Sequence, residues 1–202
     1  MIKRENNAIL SQSDIERIKA VLLGGGIVAY PTDTVWGLGV DPTNEAAVRK
    51  IYELKKRDGN KPLILMSSSV DYLLPFVEEL SAEEKNVISK YWPGALTLVT
   101  KKSSKTPGFM TSGFDTVGIR VPAHPVFSEV ANCSPSKVLA TTSANLSSEP
   151  SSLKKDDVIK YFGSNVNFVT DDFGYYAENK ESTIIRYENG WHVLRQGVVR
   201  IG

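Results

Sequence analysis

The stretch "STIIRYENGWHVLR", Ser182 to Arg195, decides the fold class of this chain. Two runs of apolar and β-branched residues flank Glu188-Asn189-Gly190, and an Asn-Gly pair between such runs is a strong signal for a β-hairpin. The stretch therefore predicts an antiparallel pair of strands. Because the rest of the chain alternates helical and strand patterns, this pair joins a sheet that is otherwise rich in crossover connections, which makes the sheet mixed.

Upstream of the hairpin, helices and strands are predicted in alternation. Ser13-Asp14-Ile15-Glu16 has the form of a capping box that opens a first helix, and Gly24-Gly25-Gly26 ends it. Further helices are predicted at residues 44–55, from Ser81 onward, at 126–131 and at 156–162, and strands at 26–30, 62–66, 95–100, 116–121, 137–142 and 166–170. We expect an α/β fold with a twisted mixed parallel and antiparallel sheet and helices packed on it.

Length and composition limit the possible functions. A chain of 202 residues with 41% hydrophobic content predicts one domain, residues 1–202, and a formal net charge of +1 argues against a generally basic nucleic-acid binder. Cys133 is the only cysteine, and His124 and His192 are the only histidines, which excludes a disulfide framework and a Cys/His zinc site. The N-terminus lacks a signal-peptide pattern and no apolar run approaches the ~18 residues of a membrane span. We expect a cytoplasmic protein without a membrane partner.

Small polar side chains follow two of the predicted strands. Thr32, Asp33 and Thr34 come after the strand at 26–30. Thr141, Thr142, Ser143 and Asn145 lie at the end of the strand at 137–142 and directly after it. Open α/β sheets bind ligands in the crevice beyond the ends of their strands, so the two clusters predict one shared site. The alternative is a pair of polar turns in which these side chains satisfy backbone donors.

Basic side chains lie in positions where an anion would stabilise them. Arg120 stands among apolar neighbours in "VGIRVP", which is costly unless its guanidinium meets an anion; an edge strand facing solvent is the alternative. Arg195 occupies a similar position in the hairpin. "LKKRDGNKPL", Leu54 to Leu63, follows the helix at 44–55, whose C-terminal dipole favours nearby cations by about 0.3–1 kcal/mol. The cluster continues into the loop, so an anion clamp and a solvated surface are both compatible with it.

Familiar catalytic motifs are missing or incomplete. The sequence contains no G-x-x-x-x-G-K-[ST] phosphate loop. Ser134-Pro135-Ser136-Lys137 fits S-x-x-K and Ser143-Ala144-Asn145 resembles S-x-N of penicillin-recognising enzymes. However, the two motifs lie only a few residues apart, Pro135 interferes with the expected helix, and no K-T-G follows. A serine acyl hydrolase is therefore disfavoured.

Six motifs occur in one order between Tyr30 and Gly197: "PTDTVWGLG", "LKKRDGNKPL", "PGALTLV", "GIRVP", "TTSANLS" and "STIIR…VLRQG". Together they resemble the YrdC/Sua5 family, the threonylcarbamoyl-AMP synthases. The resemblance implies a YrdC-like domain with a concave, positively charged face. It also implies that L-threonine, bicarbonate or CO2 and ATP give L-threonylcarbamoyladenylate and pyrophosphate, for the t6A modification of tRNA.

The resemblance assigns roles to individual residues. The family's K-x-R and S-x-N signature and further matches imply ATP contacts at Lys55, Arg57, Lys61, Ser143, Asn145, Ser151 and Arg195. Positions that match threonine contacts are Thr32, Arg120 and Ser182, with Thr141 as a weaker candidate. No protein nucleophile is implied, because Lys55, Arg57, Ser143 and Asn145 would act by positioning and electrostatics together with Mg2+. Asp33 would either hold Mg2+ or cap the turn, and the turn is slightly favoured.

Partners follow from the same resemblance. The product would pass to separate threonylcarbamoyl-transferase proteins, and tRNA or double-stranded RNA could contact the basic face. A second hypothesis is an RNA-binding module of the same fold without catalysis, in which Lys101, Lys102 and Lys105 would join the basic stretch along the phosphates. The near-neutral net charge and the lack of an aromatic stacking series count against RNA binding as the main role.

Overall fold

The computed structural model describes residues 9–55, 61–146, 151–175 and 180–201. Within these residues nine strands form one sheet: β1 Val28–Tyr30, β2 Gly37–Val40, β3 Ile64–Ser67, β4 Leu96–Lys101, β5 Thr116–Arg120, β6 Val138–Ser143, β7 Phe168–Val169, β8 Thr183–Tyr187 and β9 Trp191–Arg195. The helices are α1 Gln12–Leu23, α2 Glu45–Leu54, α3 Val70–Leu73, α4 Ala82–Tyr91, α5 Pro125–Asn132 and α6 Lys155–Phe162. Short 3-10 turns cover Leu74–Phe76, Gly108–Met110 and Gly163–Asn165.

The sheet is mixed, as predicted. Its strand order is β7-β1-β2-β6-β3-β5-β4-β8-β9. The pairs β1–β7, β3–β5 and β4–β8 are parallel, and the remaining neighbours are antiparallel. The predicted hairpin is confirmed as β8 and β9, and its turn carries Asn189 at φ 56° and Gly190 at φ 140°, the region that Asn and Gly tolerate best.

Helix boundaries agree with the capping chemistry, with one correction. The capping box at Ser81 and Glu84 opens α4 as predicted, and Gly24 and Gly25 end α1. The N-cap of α1 is Ser11 rather than Ser13, and its side chain accepts a hydrogen bond of 3.1 Å from the backbone of Asp14. Ser11 stands three residues before an acidic residue just as Ser13 does, so a start at Ser11 gives a longer helix with an equivalent cap.

Strand β2 was not predicted, because its glycines favour a loop by sequence pattern. The sheet needs these glycines for packing. Tyr30 of β1 lies across β2, and a Cβ atom on Gly37 would approach the Tyr30 ring to 2.9 Å, while one on Gly39 would approach the Tyr30 hydroxyl to 2.4 Å. Gly37 and Gly39 therefore allow the Tyr30 side chain of the neighbouring strand to pack directly on the backbone of β2.

Helices cover both faces of the sheet, because strand residues alternate between two cores. Ala29, Leu65 and Ala140 belong to the larger core, which also includes residues of α2, α4 and α6. On the other face, Met66 and Leu139 pack with residues of α1 and α5. Helix α5 contacts β1, β3 and β6. The same face continues across β5, β4 and β8, where the candidate site lies. No described helix has the length and apolarity of a membrane span.

Candidate functional site

A cavity of about 500 Å3 opens on the face of the sheet that α5 packs against. The strand register explains its composition. Gly118 of β5 pairs with Ile64 of β3 and with Val99 of β4, and Val99 pairs with Arg186 of β8. Residues on these strands share this face at every second position. This alternation holds along β3, β4, β5 and β8, whereas consecutive residues line the cavity at the ends of β6 and β9. The strand residues that line the cavity are Gly37, Ile64, Met66, Thr97, Val99, Thr116, Gly118, Arg120, Thr141, Thr142, Ser143, Ile184, Arg186, Leu194 and Arg195.

Gly118 keeps the floor of this cavity low. A Cβ atom at this position would lie 2.7 Å from Cγ2 of Ile64 and 3.4 Å from Cγ2 of Thr97. Any other residue would therefore push on the neighbouring strands and fill part of the space above them.

Arg120 is buried at the edge of the cavity and has an anionic partner within the chain. Its Nη2 donates to the Asp33 carboxylate at 2.6 Å, Nη1 donates to the Thr34 hydroxyl at 2.9 Å and Nε donates to the Gly94 carbonyl at 2.9 Å. The side chains of Arg120 and Asp33 are only 4% and 15% exposed. The prediction that Arg120 requires an anion is met by Asp33, and the edge-strand alternative is wrong because β5 is an inner strand of the sheet.

The turn after β1 combines both of the roles considered for it. The Thr32 hydroxyl accepts from the backbone N–H groups of Thr34 and Val35 and donates to the Val35 carbonyl at 2.6 Å. Thr32 thus forms the predicted polar turn and also lines the cavity. Asp33 faces Arg120 instead of capping that turn, and its role as a magnesium ligand stays a prediction.

The end of α2 meets the end of β6 through Lys55. This side chain is fully buried, and its Nζ donates to the Ser143 carbonyl at 2.5 Å and to Asn145 Oδ1 at 2.7 Å. The Ser143 hydroxyl donates to the same Asn145 oxygen at 2.7 Å. Three of the four signature residues therefore form one hydrogen-bonded cluster. Arg57, the fourth, lies outside the described residues.

Backbone hydrogen bonds attach the segment that begins at Ser151 to this cluster. The amide of Ser152 donates to the Ala144 carbonyl, the amide of Ala144 donates to the Trp36 carbonyl, and the amide of Trp36 donates to the Ser152 carbonyl, at 2.7 to 3.0 Å. The hydroxyl of Ser151 then reaches across to Glu181, whose Oε1 accepts from it at 2.9 Å. Ser151 thus lies between the end of β6 and the start of β8.

Glu181 organises the opposite wall. Its Oε2 forms an ion pair with Arg195 Nη1, and Arg195 Nη2 donates to the Ser182 carbonyl at 3.0 Å and to the Ser182 hydroxyl at 3.2 Å. The Ser182 and Thr97 hydroxyls are 2.9 Å apart. The sequence prediction included Arg195 and Ser182 but missed Glu181 and Thr97. Glu181 directly precedes the "STIIR" motif, and this position is the signal that could have identified it.

The structure brings most of the predicted site residues together. Those that line the cavity are Thr32, Lys61, Arg120, Thr141, Ser143, Ser182 and Arg195. Lys55, Asn145 and Ser151 adjoin it through the hydrogen bonds described above. Among the described residues on its wall, the cations Lys61, Arg120, Arg186 and Arg195 face one carboxylate, that of Glu181. Asp33, Glu188 and Glu181 form ion pairs with Arg120, Arg186 and Arg195, which reduces the positive charge of this wall. The positively charged concave face stays a prediction.

Two titratable groups lie beside the site in apolar surroundings. Complete burial raises the pKa of Tyr30 far above its ordinary value, so its hydroxyl stays protonated. Burial lowers the pKa of His124, and the nearby carboxylates of Asp33 and Asp172 oppose this shift only in part. No group of three or more His, Cys, Asp and Glu side chains that could hold a metal ion occurs in the described part of the chain.

Comparisons with known proteins place the chain in a family. The Sua5/YciO/YrdC family model, described as "Telomere recombination", matches residues 20–197. A threonylcarbamoyl-AMP synthase of Buchnera aphidicola is 38% identical over 167 residues, which cover 81% of this chain and 86% of that protein. A threonylcarbamoyl-AMP synthase of Vibrio campbellii is 32% identical over 186 residues, which cover 91% of this chain and 99% of that one.

Solved structures share the fold. P. abyssi Sua5 complexed with L-threonine superposes with a TM-score of 0.87 at 34% identity, over 93% of this chain and 55% of that one. The chain thus spans about half the length of that Sua5. E. coli YciO superposes with a TM-score of 0.84 at 20% identity over 95% of this chain and 92% of that one, a likeness of fold alone. By the family model and by its relatives, this chain belongs to the Sua5/YciO/YrdC family.

Proposed function

We propose that this protein is an L-threonylcarbamoyladenylate synthase, a nucleotidyltransferase that acts on L-threonine, bicarbonate or CO2 and ATP. The observation that carries the proposal is the junction between the cavity and the Lys55–Ser143–Asn145 cluster, which places a buried lysine and two polar side chains beside a pocket with several polar groups on its wall. Relatives named threonylcarbamoyl-AMP synthase, and a Sua5 structure with L-threonine, support it over the RNA-binding alternative.

ATP would occupy the side of the cavity next to the end of β6. The proposed contacts on this side are Lys55, Arg57, Lys61, Ser143, Asn145, Ser151 and Arg195. The described members of this set come from different parts of the chain and meet at the cavity or directly beside it. Lys55 is fully buried and donates to Ser143 and Asn145, so its first effect would be to fix this strand end beneath the phosphates.

L-Threonine would lie nearer β4 and β5. The proposed contacts are Thr32, Arg120, Ser182 and, with less support, Thr141, all of which line the cavity. The Arg120 guanidinium would attract the carboxylate of threonine. Asp33 accepts from Arg120 and so already holds the guanidinium in a fixed orientation. The hydroxyls of Thr97 and Ser182 are placed to orient a small polar side chain on the opposite wall.

The chemistry requires positioning more than a protein nucleophile. The amine of threonine loses a proton and forms a N–C bond with CO2, which gives a carbamate. A carbamate oxygen then attacks the α-phosphorus of ATP, the bond from that phosphorus to the bridging oxygen breaks, and pyrophosphate leaves with the negative charge. Fixed cations lower the barrier by stabilising the charge that grows on the leaving group.

Mg2+ is proposed as a companion of the substrate, bound to the phosphates of ATP. There it would neutralise part of the charge on the leaving pyrophosphate. Asp33 is the proposed protein ligand of Mg2+, but its carboxylate also forms an ion pair with Arg120. We further propose a cytoplasmic location, transfer of the product to tRNA by separate threonylcarbamoyl-transferase proteins, and contact of tRNA or double-stranded RNA with the basic face that the family resemblance implies.

The test is release of pyrophosphate by the purified protein. With ATP, Mg2+, L-threonine and bicarbonate together, the proposal expects steady release of pyrophosphate and formation of threonylcarbamoyl-AMP, detected by mass spectrometry. Omission of threonine or bicarbonate should reduce release to the background of protein-free samples. Equal release with and without threonine would contradict the proposal, whereas salt-sensitive RNA binding without any release would favour the RNA-binding alternative.

A further inference from the structure

Glu181 is a carboxylate on the wall of a cavity whose other charged side chains, among the described lining residues, are cations. The negative charge of such a group repels phosphates unless a nearby cation neutralises it, so its presence beside the proposed ATP site calls for an explanation. Its two oxygens have different partners: Oε1 accepts from the Ser151 hydroxyl at 2.9 Å, and Oε2 pairs with Arg195. Glu181 therefore connects two side chains that both belong to the proposed ATP side.

The backbone that carries Glu181 is held in place from the C-terminal side. The amide of Val198 donates to the Glu181 carbonyl at 3.1 Å, and the amide of Gly197 donates to the Thr183 hydroxyl at 3.0 Å. Gly197 packs so closely that a Cβ atom there would lie 2.2 Å from the Glu181 carbonyl oxygen. The carboxylate consequently extends from a fixed anchor, which favours a positioning role.

The contacts of Glu181 continue towards the proposed threonine side. Arg195, which Glu181 holds, donates to both the carbonyl and the hydroxyl of Ser182, and the Ser182 hydroxyl lies 2.9 Å from that of Thr97. In the other direction, Ser151 precedes Ser152, whose amide donates to the Ala144 carbonyl between Ser143 and Asn145. A path of hydrogen bonds and the backbone link between Ser151 and Ser152 thus runs from the end of β6 to Ser182, with Glu181 at its centre.

We propose that Glu181 is a positioning residue that couples ATP binding to L-threonine binding, an inference that rests on the proposed function. ATP that orders Ser151 and Arg195 would, through Glu181, also fix Ser182 in the orientation that threonine requires. Each ligand then meets a site that the other has already ordered, so each binds more tightly in the presence of the other. By thermodynamic linkage the factor must be equal in both directions.

Calorimetric titration tests this coupling. L-Threonine is titrated into the full chain with and without Mg2+ and α,β-methylene ATP, an analogue that cannot release pyrophosphate, and the analogue is titrated with and without threonine. For the unmodified protein we expect the dissociation constant of each ligand to be about 5- to 150-fold higher without the other ligand than with it, the usual range of this ratio for coupled sites. For Glu181→Gln we expect this ratio to fall below about twofold, because the amide cannot hold the Arg195 guanidinium by charge.

Two further variants separate positioning from general stability. Glu45→Gln removes the carboxylate of an exposed pair with Arg49 on α2 and should leave the ratio unchanged. Glu181→Asp keeps the charge but withdraws it from Ser151 and Arg195, and it gives the same test if Glu181→Gln folds poorly. A ratio equal to that of the unmodified protein in both Glu181 variants, or a ratio of one in the unmodified protein, would overturn the inference. Failure of the unmodified protein to bind threonine at all would instead overturn the proposed function.

Discussion

One face of the sheet contains two regions of different chemistry, although β3 and β6 contribute to both. In the covered region, α1 and α5 pack on Tyr30, Met66 and Leu139, and the contacts are apolar. In the open region, across β5, β4 and β8, the same face mixes polar and charged residues such as Thr97 and Arg120 with apolar ones such as Val99 and Ile184 around a cavity.

The boundary between the regions falls within β6. Leu139 and Thr141 are two residues apart on the same face, are 0% and 2% exposed, and yet belong to the apolar core and to the cavity wall respectively. The change of residue type along one strand therefore marks where the apolar core gives way to the wall of the cavity. We expect substitutions in the covered region to reduce stability, and substitutions in the open region to reduce substrate affinity more than stability.

Leu139→Ala should have the largest effect on stability. Leu139 is fully buried, and its loss leaves a cavity under α5, so the free energy of unfolding should fall by about 2–5 kcal/mol in urea titrations. Leu139→Met, which nearly conserves volume, should cost less than about 1.5 kcal/mol. The KM for threonine should stay within twofold in both variants. A large rise in the threonine KM of a Leu139 variant that keeps its full stability would contradict the division of this face into a covered and an open region.

Arg120→Lys should have the largest effect on substrate affinity. A lysine keeps the charge but cannot donate at once to Asp33, Thr34 and Gly94 and still present a planar group to a carboxylate. Loss of a charge-assisted hydrogen bond of about 1.5–3 kcal/mol corresponds to a rise in the threonine KM of about 10- to 150-fold. Arg49→Lys, on the exposed face of α2, is the matched control and should leave KM unchanged. An unchanged KM in Arg120→Lys would remove Arg120 from the threonine site.

Gly118→Ala tests whether the open region also has a structural requirement. The added methyl would lie 2.7 Å from Ile64 Cγ2, so the neighbouring strand must shift. We expect a loss of about 1–3 kcal/mol in the free energy of unfolding together with weaker threonine binding in calorimetry. At Gly108 a Cβ atom would meet only Lys102 Nζ at 3.8 Å, so Gly108→Ala should be nearly neutral. Equal stability of the two variants would show that β3 and β4 can move away from the added methyl group at little cost in free energy.

His124 lies at the boundary and should make a small, pH-dependent contribution. Its ring caps α5, and burial lowers its pKa from the ordinary value of 6.5, so the folded protein binds a proton less readily than the unfolded chain. The stabilisation is present above this value and is lost as the pH falls below it. His124→Asn keeps a good N-cap without the titration, so the slope of unfolding free energy against pH between about pH 7 and pH 5 should flatten. An unchanged slope would assign the acid sensitivity to other groups.

Local chemistry explains which features were predictable from the sequence. The Asn-Gly turn gives the hairpin, the capping residue at Ser81 gives the start of α4, and the polar side chains of Ser143 and Asn145 at the end of β6 mark one side of the candidate site. Lys55 was predicted to act with them, and the structure places its ammonium group within 2.7 Å of Asn145. The hairpin and capping signals are contained in a few adjacent residues, whereas the joint role of Lys55, Ser143 and Asn145 came from the family resemblance.

Features that depend on distant residues could not be predicted in this way. Strand β2 contains glycines because the Tyr30 ring lies over them, which the pattern "GLGV" does not reveal. The anion that accompanies Arg120 is Asp33, 87 residues away, and only the sheet brings the two together. The role of Glu181 likewise requires Ser151, which is 30 residues away in sequence.

The most direct test of the central claim is a crystal structure of the protein with bound L-threonine. We expect density for the amino acid in the open region, with its carboxylate within about 3.2 Å of a polar atom of Arg120 and the remainder towards Ser182 and Thr97. Covered residues such as Leu139 should keep their packing. Threonine found outside the cavity, or in the cavity with its carboxylate directed away from Arg120, would contradict the assignment of this half of the sheet as the substrate site.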